Sequence, residues 1–135
     1  MKVSVIGVGL IGGSFALAIK ESFPESTIFG IDKSEAHVKE ALEIGFIDAA
    51  GTMEDLADSD VAIVAVPVDI SIKVLKEALD NAGDHTLVID AGSTKFKLCE
   101  AVKDHPKRRN YLSSHPIAGT EFSGPSAAIK DLYKE

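Results

Sequence analysis

A single cysteine, Cys99, is all the thiol in this chain of 135 residues, so no intrachain disulfide can form and a reducing compartment is expected. No Cys/His cluster carries metal-ligand spacing, which leaves no metal site to expect. Positive charge is also scarce: 14 Lys plus Arg against 21 Asp plus Glu give a net charge of -7, opposing non-specific attraction to nucleic acid or anionic membrane. No apolar run approaches the ~18 to 20 residues that a bilayer crossing needs. At the N-terminus Lys2 leads straight into a strand-like run, without the apolar core and small-residue cleavage site of a signal peptide, so the expected location is cytoplasmic. Internal repeats, low-complexity tracts and linkers are lacking, and 45% hydrophobic with 26% charged residues suits one globular domain over residues 1–135.

What the chain does have is an alternation of short β-branched runs with longer helical periods, the mark of βαβ units around a parallel sheet. Strands are expected at Lys2 to Ile6, Thr27 to Ile31, Val61 to Val66, Thr86 to Ile89 and Asn110 to Ser113. Between them, Ile11, Phe15 and Ile19 recur at helical spacing. Ser34 is placed to cap a helix whose Val38, Ala41 and Leu42 face inward and whose stop is Gly45. Pro67 ends the third strand, and Val68, Ile72, Leu75 and Leu79 form the stripe of a third helix closing at Gly83. Leu98 and Val102 mark a fourth helix, with Cys99 on its apolar side. Residues 124–135 read as a turn followed by a short helical stretch. The cluster Lys107-Arg108-Arg109 reads as a solvated loop, and His37, His85 and His105 as structural.

The glycine run Gly7-Val8-Gly9-Leu10-Ile11-Gly12-Gly13 lies between the first strand and the first helix. Gly7 permits the tight turn, Gly9 lets backbone approach a pyrophosphate, and Gly12 lets the helix pack against the strand, so the amides of Leu10, Ile11 and Gly12 face the phosphates. Alone the pattern is weak. Here it is answered by Asp32, about 20 residues beyond Gly12 at the end of the second strand, where a carboxylate binds ribose hydroxyls. A carboxylate there repels a 2'-phosphate, which favours NAD over NADP, although the adjacent Lys33 partly offsets that repulsion. Val66 and Pro67 fall beside the cofactor in this topology, with plain strand termination as the other reading.

The most specific run is Ser113-Ser114-His115-Pro116-Ile117-Ala118-Gly119-Thr120-Glu121, directly after the last strand. A histidine exchanges a proton near neutral pH, and strand ends in an open α/β sheet face the ligand crevice. A turn histidine satisfied by backbone is the other reading. Together with Gly7 to Ser14 and Asp90-Ala91-Gly92-Ser93-Thr94-Lys95, this block resembles the nucleotide-binding half of the prephenate and arogenate dehydrogenase family, in order and spacing across essentially the whole chain. The first motif is common among dehydrogenases and the second moderately specific; the block from His115 to Glu121 is highly specific to that family.

The resemblance implies a Rossmann-type, doubly wound, mainly parallel sheet, ending before a sixth strand and before the helical domain that in the family dimerises and completes the substrate site. It implies NAD-dependent oxidative decarboxylation of prephenate to 4-hydroxyphenylpyruvate, in tyrosine biosynthesis, with arogenate as alternative substrate. In that chemistry the hydroxyl loses its proton as hydride departs, which suits a neutral imidazole, so His115 is the expected catalytic base. Ser93 is expected to hydrogen-bond the substrate hydroxyl or orient the imidazole and nicotinamide; helix capping is its other reading. Lys95, Thr120, Glu121 and Ser123 have both anion-binding or loop-ordering and merely structural readings. A homodimer, or a complementing C-terminal domain, is expected as partner. Two rivals stay open: a non-catalytic dinucleotide-binding module, and a β-hydroxyacid dehydrogenase, which shares the glycine fingerprint but lacks the His115 block.

Overall fold

A computed structural model describes residues 1–91 and 95–113, with residues 95, 96 and 113 described by their backbone alone. The strands are β1 (Lys2–Ile6), β2 (Thr27–Ile31), β3 (Ala49–Ala50), β4 (Val61–Val64), β5 (Leu87–Asp90) and β6 (Tyr111–Ser113). Helices α1 (Leu10–Ser22), α2 (Glu35–Ile44), α3 (Val68–Asn81) and α4 (Lys95–Val102) alternate with them. All ladders are parallel and the order is β3-β2-β1-β4-β5-β6. The direction of strand addition therefore reverses between β1 and β4, and in such a sheet the ligand crevice opens at the carboxyl ends of that pair.

The strands bury both faces, as a parallel sheet with helices on each side requires. Ile63 of β4 joins Val3, Val5, Ile28, Phe46 and Ile47 in one core cluster with Ala16 of α1 and Ala41 of α2. Its neighbours Ala62 and Val64 turn to the other face, where Val88, Leu75, Leu79, Leu98 and Val102 pack. That switch at successive residues is the two-residue period of a strand.

Several local expectations hold as read. The Ser34 hydroxyl accepts from His37 N–H at 3.3 Å to cap α2, and Gly45 ends it in the left-handed region with φ of 96°. Leu98 and Val102 are fully buried.

Others are corrected. The sheet has six strands rather than five, because β3 adds a two-residue edge beside β2; it is too short to carry an alternating pattern, and its neighbour Asp48 stations it. Strand β4 stops at Val64, two residues early, although Ala65 N–H still bonds Ile6 carbonyl at 2.8 Å. A 3-10 turn at Met53–Asp58 was not anticipated. Thr86 precedes β5 instead of opening it, since its hydroxyl accepts from Gly83 N–H and lies against the carbonyls of Leu56 and Ser59. Asn110 likewise ends a second 3-10 turn, its amide donating to the carbonyls of Gly83, Asp84 and Thr86.

On α3 the buried stripe is Ser71, Leu75, Ala78 and Leu79, while Val68 is 56% and Ile72 36% exposed. Leu42 of α2 also faces outward, and Cys99 is half-buried at the core margin. The basic cluster is partly docked: Lys107 Nζ donates to Ala82 carbonyl, and Arg108 stacks on the Tyr111 ring and donates to its carbonyl at 3.0 Å. His105 is held structurally, as expected. Its Nδ1 accepts from Lys107 N–H, so Nε2 carries the proton toward Asp80 Oδ1 at 2.7 Å.

Leu75→Ala is expected to cost about 3 kcal/mol in urea denaturation, whereas Ile72→Ala shifts stability by less than about 1 kcal/mol. A pH test concerns Asp48, which receives Lys20 Nζ at 2.7 Å and Ile28 N–H at 2.8 Å. Burial works to raise its pKa, but the Lys20 ammonium and the Ile28 amide outweigh it and hold the carboxyl below its usual value. A carboxyl lowered in the folded state stabilises above its unfolded pKa, and that contribution fades as pH falls through the folded one. Asp48→Asn is thus expected to lower the urea midpoint at neutral pH, with the gap to the parent narrowing as pH falls below the ordinary carboxylate range.

Candidate functional site

The cleft grows from the β1–α1 joint. Gly7 leaves β1 with φ of 94°, a backbone region that side chains rarely adopt, and a Cβ there would lie 2.3 Å from the Ala65 carbonyl oxygen. Gly7 N–H bonds the Ile31 carbonyl at 2.7 Å, tying the turn to the end of β2. Five residues on, a Cβ at Gly12 would fall 1.9 Å from the Gly7 carbonyl oxygen, so α1 sits against its own entry turn. Gly9 is the N-cap of α1; it offers no side-chain cap, and the first turn carries no acidic residue. The opening amides of a helix have no intrahelical acceptor, and here no side chain of the cap position takes their place.

Asp32 stands at the adjoining strand end. Its Oδ2 accepts from Val8 N–H at 3.1 Å and its Oδ1 from Ser34 N–H at 2.9 Å. The carboxylate, only 13% exposed, thereby joins the glycine loop to the head of α2. His37 brings Nδ1 to 3.6 Å from the same Oδ2.

These groups line a cavity of about 720 Å³. Of the residues expected to bind cofactor, Gly7, Gly9, Leu10, Ile11, Asp32, Val66 and Pro67 all line it, and Gly12 stands directly behind the turn. The sequence reading missed the opposite wall: Met53 from the 3-10 turn, and Ile70, Val74 and Glu77 from α3. The 70/74/77 spacing is a second helical stripe beside the core stripe, visible in the sequence but not assignable to a cavity without the packing. His37 was read as structural, yet it also lines the cavity; the Ser34 cap places it in the first turn of α2, which turns it back toward Asp32.

Ser93 and His115 lie outside the described residues. Among the described residues, Asp90 is fully buried at the end of β5, and its Oδ1 receives the Tyr111 hydroxyl at 2.5 Å. Among the described residues no group of His, Cys, Asp and Glu could hold a metal ion, and no helix is long and apolar enough to cross a membrane.

A parallel sheet with this strand order, a glycine turn at its reversal point and a carboxylate at the next strand end define a Rossmann-type nucleotide-binding domain. The family model for the nucleotide-binding domain of prephenate dehydrogenase matches residues 15–135, and the chain belongs to that family. It is 38% identical to prephenate dehydrogenase of Bacillus subtilis over 136 aligned positions, covering 98% of this chain and 37% of that protein. It is 35% identical to prephenate dehydrogenase of Lactococcus lactis, covering 98% and 38% respectively. Among solved structures, prephenate dehydrogenase from Aquifex aeolicus, in complex with hydroxyphenyl propionate and NAD+, superimposes with a TM-score of 0.80 at 27% identity. That match covers 98% of this chain and 47% of the other. The chain thus spans less than half the length of the curated relatives it matches.

Gly12→Ala is expected to cost several kcal/mol, or to prevent folding, because the nearest atom is backbone and cannot step aside. Gly45→Ala, with φ of 96° but nothing within 4 Å, is expected to cost only about 1 to 2 kcal/mol. Equal losses in thermal melts would contradict the steric account.

Proposed function

We propose that this chain is the cofactor-binding portion of an NAD-linked prephenate dehydrogenase, working in the cytoplasm. The observation that carries the reading is the Asp32 carboxylate, held by the glycine loop's own Val8 amide and facing the cavity beside an uncapped helix N-terminus. The residues fit a dinucleotide: a Cβ at Gly7 or Gly12 would collide with backbone, and the donors offered are amides, suited to a pyrophosphate. In this reading Gly7, Gly9, Leu10, Ile11 and Gly12 hold the pyrophosphate and Asp32 the ribose hydroxyls. Val66 and Pro67 flank the nicotinamide half.

The bound dinucleotide supplies the hydride acceptor. The chain's own residues supply the rest: His115 takes the proton of the substrate hydroxyl, and Ser93 orders that hydroxyl or the imidazole. The substrate is prephenate, with arogenate the alternative. A C-terminal helical domain, carried on the same polypeptide or supplied by a partner, completes the substrate site and forms a homodimer. NAD is preferred over NADP because Asp32 repels a 2'-phosphate.

Titration calorimetry of the chain with NAD is expected to give saturable binding, weakened about tenfold or more in Asp32→Ala, which also strips the Val8 and Ser34 amides of their acceptor. In a protein that includes the helical domain, His115→Ala is expected to lower prephenate-dependent NADH formation by about 100-fold or more. Absence of NAD binding, or undiminished turnover in the His115 variant, would overturn the proposal.

A further inference from the structure

The ribose end of the cleft carries more charge than one carboxylate. Lys33, Ser34 and His37 follow Asp32 along the same wall, and the His37 ring, 45% exposed, stands 3.6 Å from Asp32 Oδ2. The helix cap uses His37's backbone N–H, leaving its imidazole to the cleft. The charged groups around it are Asp32 at the end of β2, Lys33 in the following link, Glu35 and Glu40 on α2, and Glu77 across the cavity on α3. Of these, Asp32 and the glutamates are anionic, while Lys33 and the N-terminal end of α2 bring positive charge.

Resting on the dinucleotide reading of the cleft, we propose that His37 is a second cofactor-specificity residue, making rejection of a 2'-phosphate depend on pH. Neutral, the ring leaves the Asp32 charge unopposed, and NADP is disfavoured. Protonated, it neutralises much of that charge and offers a donor to the phosphate, so NADP is better accepted as pH falls. Lys33 supplies the part of this compensation that does not vary with pH.

The test is calorimetric binding of NAD and NADP to the full chain at about pH 8.5 and about pH 5.5, in the parent and in His37→Gln. A phosphate monoester changes charge near pH 6, so the ratio of the two dissociation constants drifts in both proteins. In the parent that ratio is expected to fall about tenfold further than in the variant, the order of magnitude of one added unit charge in a wet cleft. Equal drift in parent and variant would overturn the proposal. Linkage supplies a second measurement on the parent alone: a group that favours NADP when protonated must gain protons when NADP binds. The ring proton signals of His37 are therefore expected to titrate at higher pH with NADP than with NAD, and coincident titrations would also sink the idea. If neither dinucleotide binds at any pH, the dinucleotide reading itself fails, which is distinct from binding whose selectivity ignores His37.

Discussion

Asp32 is the hinge between local chain geometry and the cleft. Its two oxygens take one amide from the glycine loop and one from the head of α2, so the loop, the end of β2 and the second helix share a single anchor. Backbone N–H groups deprived of such an acceptor cost about 1 to 3 kcal/mol each when water cannot replace it. The steric counterpart is the contact between Gly12 and the Gly7 carbonyl, which admits no side chain and sets where α1 begins. Together they fix the first amides of α1 beside the Asp32 carboxylate. Hydrogen bonding decides one half of this arrangement, and exclusion of any Cβ the other.

Much of this frame was legible in the chain itself. Strands β1 and β2 fall at their expected bounds because each is a short, mostly apolar or β-branched run closed by glycine or aspartate. The Gly7-to-Asp32 pairing could be read because its meaning is local: strand, turn, helix, strand. Strand β3 was not legible, since two alanines carry no pattern and their position depends on Asp48 bonding Lys20 and Ile28 from other elements. The stripe on α3 was half right because the helix meets two environments: Leu75 and Leu79 face the core, Ile70 and Val74 face the cleft, and Val68 and Ile72 remain outside. Periodicity reports that a helix is amphipathic, not how many neighbours it has. The far wall of the cleft was illegible for the same reason.

The chain's net charge of -7 makes the chemistry of the cleft a local matter. An anionic ligand approaching such a chain gains nothing from the overall field and must be received by short-range dipoles. The proposed function places that reception at the start of α1, where no acidic side chain occupies the first turn. The same economy marks the ribose end, where the six residues from Asp32 to His37 set Asp32, Lys33 and Glu35 in alternating charge instead of forming a basic patch.

The hydrogen bond from Tyr111 to Asp90 serves as a gauge of phase. Tyr111 pairs with Val88 and Ser113 with Asp90, so the hydroxyl reaches diagonally to the next inward-facing position of β5. A slip of β6 by one residue would swing that ring outward and drive Leu112, now 52% exposed, into the core. The short strand has few ladder bonds with which to resist such a slip, and a buried polar contact resists it by chemical mismatch rather than by strength. The register of β6 against β5 thus carries a chemical check at Tyr111 in addition to the ladder itself.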